Sequence, residues 1–122
     1  MARATKFRDR RHARIYAEWL DLPAWRCLSG DASRLLVHLL ARYLPGNNGL
    51  TDFSARVAGE AIGRSKSEGA RALAELEEKG WITVCRVGRF QAANKPSRYA
   101  LANYPNDATG EPATMAFQLW RP

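Results

Sequence analysis

The segment from Ser54 to Gly80, SARVAGEAIGRSKSEGARALAELEEKG, leaves this chain few choices of fold. Its spacing predicts two short helices joined by a tight turn. Ser54 stands where an N-cap belongs, and Val57, Ala58, Ala61 and Ile62 follow at helical spacing. Gly63 ends that helix, because a residue without a Cβ takes the left-handed C-cap conformation at no steric cost. Ser65 and Glu68 have the Ser-x-x-Glu spacing of a capping box, in which hydroxyl and carboxylate satisfy two orphan amides at a new helix start. The second helix is expected to run to Lys79 and stop at Gly80.

At about 100° per residue the second helix divides by face. Gly69, Ala72, Leu73, Leu76 and Gly80 share an apolar, partly small side suited to packing on another helix. Lys66, Ser67, Ala70, Arg71 and Ala74 share the other. Lys and Arg bond guanine edges, Ser bonds either partner, and Ala meets the thymine methyl, so this second face suits a DNA major groove. Arg64 and Ser65 stand close to it, at the turn. The plainer reading is that a Ser-capped helical pair with Ala and Leu inside serves any small helical domain.

The pair also resembles a helix-turn-helix, and with the residues after it the winged-helix DNA-binding proteins of bacteria and their mobile elements. Gly59 and Gly63 keep that family's spacing between the small residue that lets the helices approach and the turn glycine. Ala58, Ile62 and Ala72 stand at its packing positions. Arg71-Ala-Leu-Ala-Glu-Leu-Glu-Glu-Lys-Gly-Trp-Ile82 is similar to the close of its recognition helices. Two positions depart: Arg64 follows the turn glycine where an apolar residue is usual, and Gly69 replaces a usual Val or Ile, which predicts weaker packing. The resemblance covers roughly residues 30–102 and implies a mainly α fold with a small β-hairpin wing (α+β), a winged helix-turn-helix.

Net charge is +7, and its placement says more than its size. Residues 1–14 carry Arg3, Lys6, Arg8, Arg10, Arg11 and Arg14 against Asp9, a surplus of +5. Residues 81–103 carry Arg86, Arg89, Lys95 and Arg98 with no acid, a surplus of +4. Basic charge gathered on an arm and beside a helical pair points to a polyanion partner. The arm is suited to lie on phosphates or enter a minor groove, with a solvated tail as the alternative.

Trp81 to Val87 is rich in β-branched and aromatic residues and reads as a strand. Gly88 to Pro96 reads as a loop, and Ser97 to Ala102 as the returning strand. As a wing, this hairpin would set Arg86, Arg89, Lys95 and Arg98 on the DNA backbone or minor groove. As a solvated hairpin, the same cations would only protect an edge strand.

Upstream, Pro23 predicts one helical turn over Ala24–Leu28, with Trp19 and Trp25 in the core or a dimer contact. Ser29-Gly-Asp-Ala caps a helix from Asp31 to Leu44, whose apolar stripe is Leu35, Leu36, Leu39, Leu40, Tyr43 and Leu44. Arg34, His38 and Arg42 line another side of it, and no nucleophile or acid is tied to His38. Pro45 to Gly49 is a turn and Leu50 to Phe53 a short strand. Tyr104 to Pro112 is a loop. Residues 114–122 are expected to form a short helix with Phe117 and Trp120 on one face, covering the N-terminal aromatics or meeting another subunit. Cys27 and Cys85 have no Cys or His neighbour at metal-ligand spacing and are expected reduced and packed.

The organisation is therefore a basic arm over 1–14, a winged helix-turn-helix over 15–103, and a C-terminal loop and short helix over 104–122. No apolar run approaches the roughly 20 residues that span a bilayer. A cytoplasmic, nucleoid-associated protein is expected. No paired carboxylates, activated nucleophile or metal cluster can be assembled by spacing, so the expectation is a non-enzyme without cofactor, metal or small-molecule ligand. The expected partner is double-stranded DNA, bound sequence-specifically with residues 66–79 in the major groove. Transcriptional regulation is the leading role and replication initiation at a plasmid or phage origin the runner-up. A protein–protein module is the reading from another class. Helix-turn-helix proteins commonly act as two-fold dimers, and a homodimer is left open here.

Overall fold

The helix starts follow the caps written in the sequence. In the computed structural model, which describes residues 10–86 (Arg86 as backbone) and 97–122, a 3-10 turn at Ala17–Asp21 precedes α1 (Pro23–Arg26). Ser29 accepts from the Ala32 amide at 3.1 Å and opens α2 (Gly30–Arg42). Ser54 accepts from the Val57 amide at 3.1 Å and opens α3 (Ala55–Ile62). Ser65 opens α4 (Lys66–Glu78) with both halves of its capping box formed. Each cap satisfies a donor that the helix leaves orphaned, a contribution of about 1 kcal/mol.

Helices α3 and α4 also end alike. Gly63 (φ 71°) and Gly80 (φ 84°) are left-handed. At the first, the Arg64 amide donates to Gly59 O and the Gly63 amide to Glu60 O. At the second, the Trp81 amide donates to Leu76 O and the Gly80 amide to Glu77 O. These are the paired bonds of a Schellman ending. The chain leaves α4 straight into an antiparallel hairpin of β1 (Ile82–Arg86) and β2 (Arg98–Leu101). Ile82 lies opposite Leu101, Val84 opposite Tyr99 and Arg86 opposite Arg98, with an irregularity at Cys85. The described residues thus form an α+β fold with one two-stranded sheet.

Gly69 overturns the expectation of weak packing. A Cβ there would lie 2.3 Å from Gly59 N and 2.5 Å from Ala55 O. A Cβ on Gly59 would lie 2.3 Å from Ser65 O. The two helices therefore cross backbone on backbone, and a Val or Ile at 69 is sterically excluded. Absence of a side chain is the packing device here.

Leu35, Leu36 and Leu40 of α2, Ala58 and Ile62 of α3, and Leu73 and Leu76 of α4 meet in one core. Its second half is aromatic. Trp81 stacks on Phe117 at 4.2 Å and 5°, and Trp19 stands edge-on to both at 5.3 Å. The indole N–H of Trp81 donates to Ala24 O at 3.1 Å, so its polar edge is satisfied inside. Phe117 rides on a single 3-10 turn, Ala116–Gln118, rather than the short helix expected over 114–122. That turn passes so close over Gly80 that a Cβ there would lie 2.8 Å from Ala116 C.

Three further expectations change. The strand expected at Leu50–Phe53 is a single bridge, Asp52 to Arg98, beside which the Phe53 amide donates to Ser97 O. Helix α2 ends at Arg42, so Leu44 falls outside its stripe and is exposed. Cys27 is exposed rather than packed, since α1 has already ended. Asn48, in the turn after α2, is buried and acts as a staple. Its amide nitrogen donates to Leu101 O and Pro105 O, each at 2.9 Å, and its oxygen accepts from the Leu101 amide at 2.7 Å.

Candidate nucleic-acid interface

The exposed side of α4 begins at its capped end. Lys66, Ser67, Ala70, Arg71 and Ala74 are exposed, while Gly69, Ala72, Leu73 and Leu76 are buried, as the division by face requires. Among the described residues neither Lys66 nor Arg71 forms an ion pair. The helix dipole places additional positive potential at this end.

Arg64 and Ser65, also expected in this group, have partners within the chain. Arg64 bridges Asp31 of α2 (Nε to Oδ2 3.4 Å) and Glu68 of α4. The polar residue at this unusual position therefore ties the turn to the first turn of α2. The Ser65 hydroxyl donates to Glu68 Oε1 at 2.9 Å and accepts from the Glu68 amide at 3.2 Å, so it is occupied by the capping box. Bonds from the Ser65 amide and hydroxyl, with Arg64 and Arg71 nearby, hold the Glu68 carboxyl below its usual range. One carboxylate thus stays ionised beside the cationic face, spent on Ser65 and Arg64.

The opposite end of α4 is fastened. Glu75 accepts from the Ser29 amide at 2.8 Å and from its hydroxyl at 2.7 Å, joining α4 to the N-cap of α2. Burial pushes the Glu75 carboxyl up, but the two Ser29 bonds and Lys79 outweigh it, and the net shift is downward. Lys79 lies between Glu75 and Glu78 with its ammonium 5.1 Å from the Trp120 ring, and the Trp120 N–H donates to Glu78 at 3.0 Å.

Of the hairpin cations, Arg98 pairs with Asp52 (Nε to Oδ1 2.8 Å), and the register sets it opposite Arg86. Arg89 and Lys95 lie outside the described residues, as do Arg3, Lys6 and Arg8 of the arm. Arg10, Arg11 and Arg14 are exposed, and Arg11 donates to Ala41 O at 3.1 Å. The arm is therefore rooted at the C-terminal end of α2, whereas Asp31 and Arg64 mark its N-terminal end. Asp31 and Ala41 stand ten residues apart on this helix, about 15 Å at 1.5 Å per residue. The structure brings Lys66, Ser67, Ala70 and Arg71 together and sets Arg10 and Arg11 apart from them.

His38 is half-buried, 6.2 Å from the Phe53 ring, and burial together with Arg42 lowers its pKa, so it is neutral near pH 7. Among the described residues no cluster of His, Cys, Asp and Glu is arranged to hold a metal ion, and no helix is long and apolar enough to cross a membrane. Compared with protein-family models, with curated proteins and with solved structures, the chain matches none.

Proposed function

We propose that this chain binds double-stranded DNA sequence-specifically as a winged helix-turn-helix and serves as a transcriptional regulator. In this reading α4 enters the major groove. Lys66, Ser67 and Arg71 read base edges, with Ala70 against a thymine methyl. Arg64 and Ser65 hold the turn in place rather than reading bases. The hairpin cations and the arm neutralise phosphates and supply most of the affinity and its salt dependence.

The observation that carries this reading is the exposed face of Lys66, Ser67, Ala70 and Arg71, free of ion pairs among the described residues, on a helix packed through Gly69 and fastened through Glu75. A face of that kind meets a rigid polyanion with its side chains unspent and its backbone fixed.

Selection of bound duplexes from a random pool, at about 150 mM salt where bare charge attraction is screened, tests the reading. A defined motif is expected, and its symmetry reports monomer or dimer. Binding that persists only at low salt and yields no motif would overturn sequence-specific recognition.

A further inference from the structure

A cavity of about 370 Å³ opens between the C-terminal end of α2, the turn after it and the hairpin. That volume falls within the roughly 300–1,000 Å³ of small-molecule sites. Leu39, Phe53, Ile82, Tyr99 and Leu101 give it an apolar lining, with Phe53 and Ile82 themselves buried. Arg11 and Arg42 add two guanidiniums, and among the described residues no carboxylate lines it. Among the described residues neither arginine is ion-paired: Arg11 donates to a backbone carbonyl, and Arg42 lies 4.9 Å from the centre of the Phe53 ring.

Such a space selects its occupant by two features at once. The apolar and aromatic part of the lining favours a flat hydrocarbon surface. Two unneutralised guanidiniums in a partly enclosed wall favour one compact anion, which a guanidinium grips through two parallel bonds. We infer that this cavity is a binding site for a small aromatic carboxylate, its ring against Phe53 and Tyr99 and its carboxylate on Arg42 and Arg11. The inference stands whether or not the chain binds DNA.

The site draws on α2, the entry to α3 and both strands. Phe53 directly precedes the Ser54 cap of α3, Ile82 opens β1, and Tyr99 and Leu101 belong to β2. A bound ring would contact the entry to α3 and both strands together, so occupancy would stiffen the hairpin against the helices.

Titration of the full chain with naphthalene-2-carboxylate, followed through backbone amide resonances, tests this. Shifts should concentrate at residues 39–53, 82 and 99–101, saturating by about 1 mM. Arg42→Gln should weaken the carboxylate about tenfold while leaving the neutral naphthalene-2-carboxamide unchanged. Thr51→Trp, which plugs the cavity from an exposed position of its lining, should abolish both sets of shifts with the remaining spectrum intact. No shifts by about 1 mM, or shifts that survive Thr51→Trp, would overturn the site. Equal binding of carboxylate and carboxamide would overturn its anion preference.

Discussion

The two ends of α4 solve different problems. Its C-terminal end is fastened from three directions: Ser29 holds Glu75, Trp120 lies against Lys79 and Glu78, and Trp81 enters the aromatic core. Its N-terminal end touches its neighbours through backbone, at Gly59 and Gly69, and through one bracket, Asp31 with Arg64. The contrast teaches how a small fold keeps a polar face unspent. Side-chain chemistry is concentrated where the helix is anchored, and glycine does the packing where side chains must point outward.

The largest expected effect falls on the anchored end. Trp81→Ala removes a buried ring that touches Trp19, Trp25 and Phe117 and bonds Ala24 O. It should cost about 4 kcal/mol in denaturant unfolding. A loss near 1 kcal/mol would mean that the aromatic cluster is dispensable and the anchor lies elsewhere.

Gly69→Ala should come next, at about 3 kcal/mol, because the added methyl meets backbone that no rotamer change can move aside. Gly63→Ala is its contrast. A Cβ there has nothing within 4 Å and meets only the left-handed penalty, about 1 kcal/mol. Equal effects at the two glycines would dissolve the distinction between a packing glycine and a turn glycine.

That pair also marks what a sequence discloses. Caps are local chemistry, so Ser54, Gly63, Ser65 with Glu68, and Gly80 could each be located from neighbours within a few residues. The exposed face of α4 was legible for the same reason, since helical periodicity alone defines it. Gly69 was misread because its partner, Gly59, lies on another helix, and a missing side chain looks like a defect until the opposing backbone is placed. The bracket between Arg64 and Asp31 was not legible, because Asp31 is remote in the chain. Asn48 read as an ordinary turn residue for want of Leu101 and Pro105. The cavity was invisible, and no small-molecule ligand was expected, because its lining is drawn from Arg11 to Leu101.

On the open end, Arg71→Ala should weaken the preferred duplex by about 2 kcal/mol and relax selection at one base position. Unfolding stability should change by less than about 0.5 kcal/mol, since Arg71 is exposed and outside every ion pair among the described residues. Equal weakening on all sequences would move Arg71 to a phosphate and leave base reading to Lys66 and Ser67.

The smallest effect is the pH dependence of the fastening. Glu75 has a folded pKa below its ordinary value of 4.5, because the two Ser29 bonds and Lys79 together outweigh its burial. The folded state therefore binds fewer protons than the unfolded chain around that pH. Its stabilisation is complete above pH 4.5 and is lost as pH falls through the depressed folded value. Glu75→Gln keeps an oxygen for one Ser29 donor but turns an amide N–H₂ toward the other. The variant should be less stable at pH 7, and its stability should fall less steeply than wild type on acidification. Unfolding curves across the acid limb for both proteins read this directly, because Glu68 and the other carboxylates contribute equally to each and cancel in the difference. Parallel curves would show that Ser29 does not discriminate carboxylate from carboxylic acid. The join between α2 and α4 would then be one of shape alone, and the anchored end would differ from the open one in packing but not in charge.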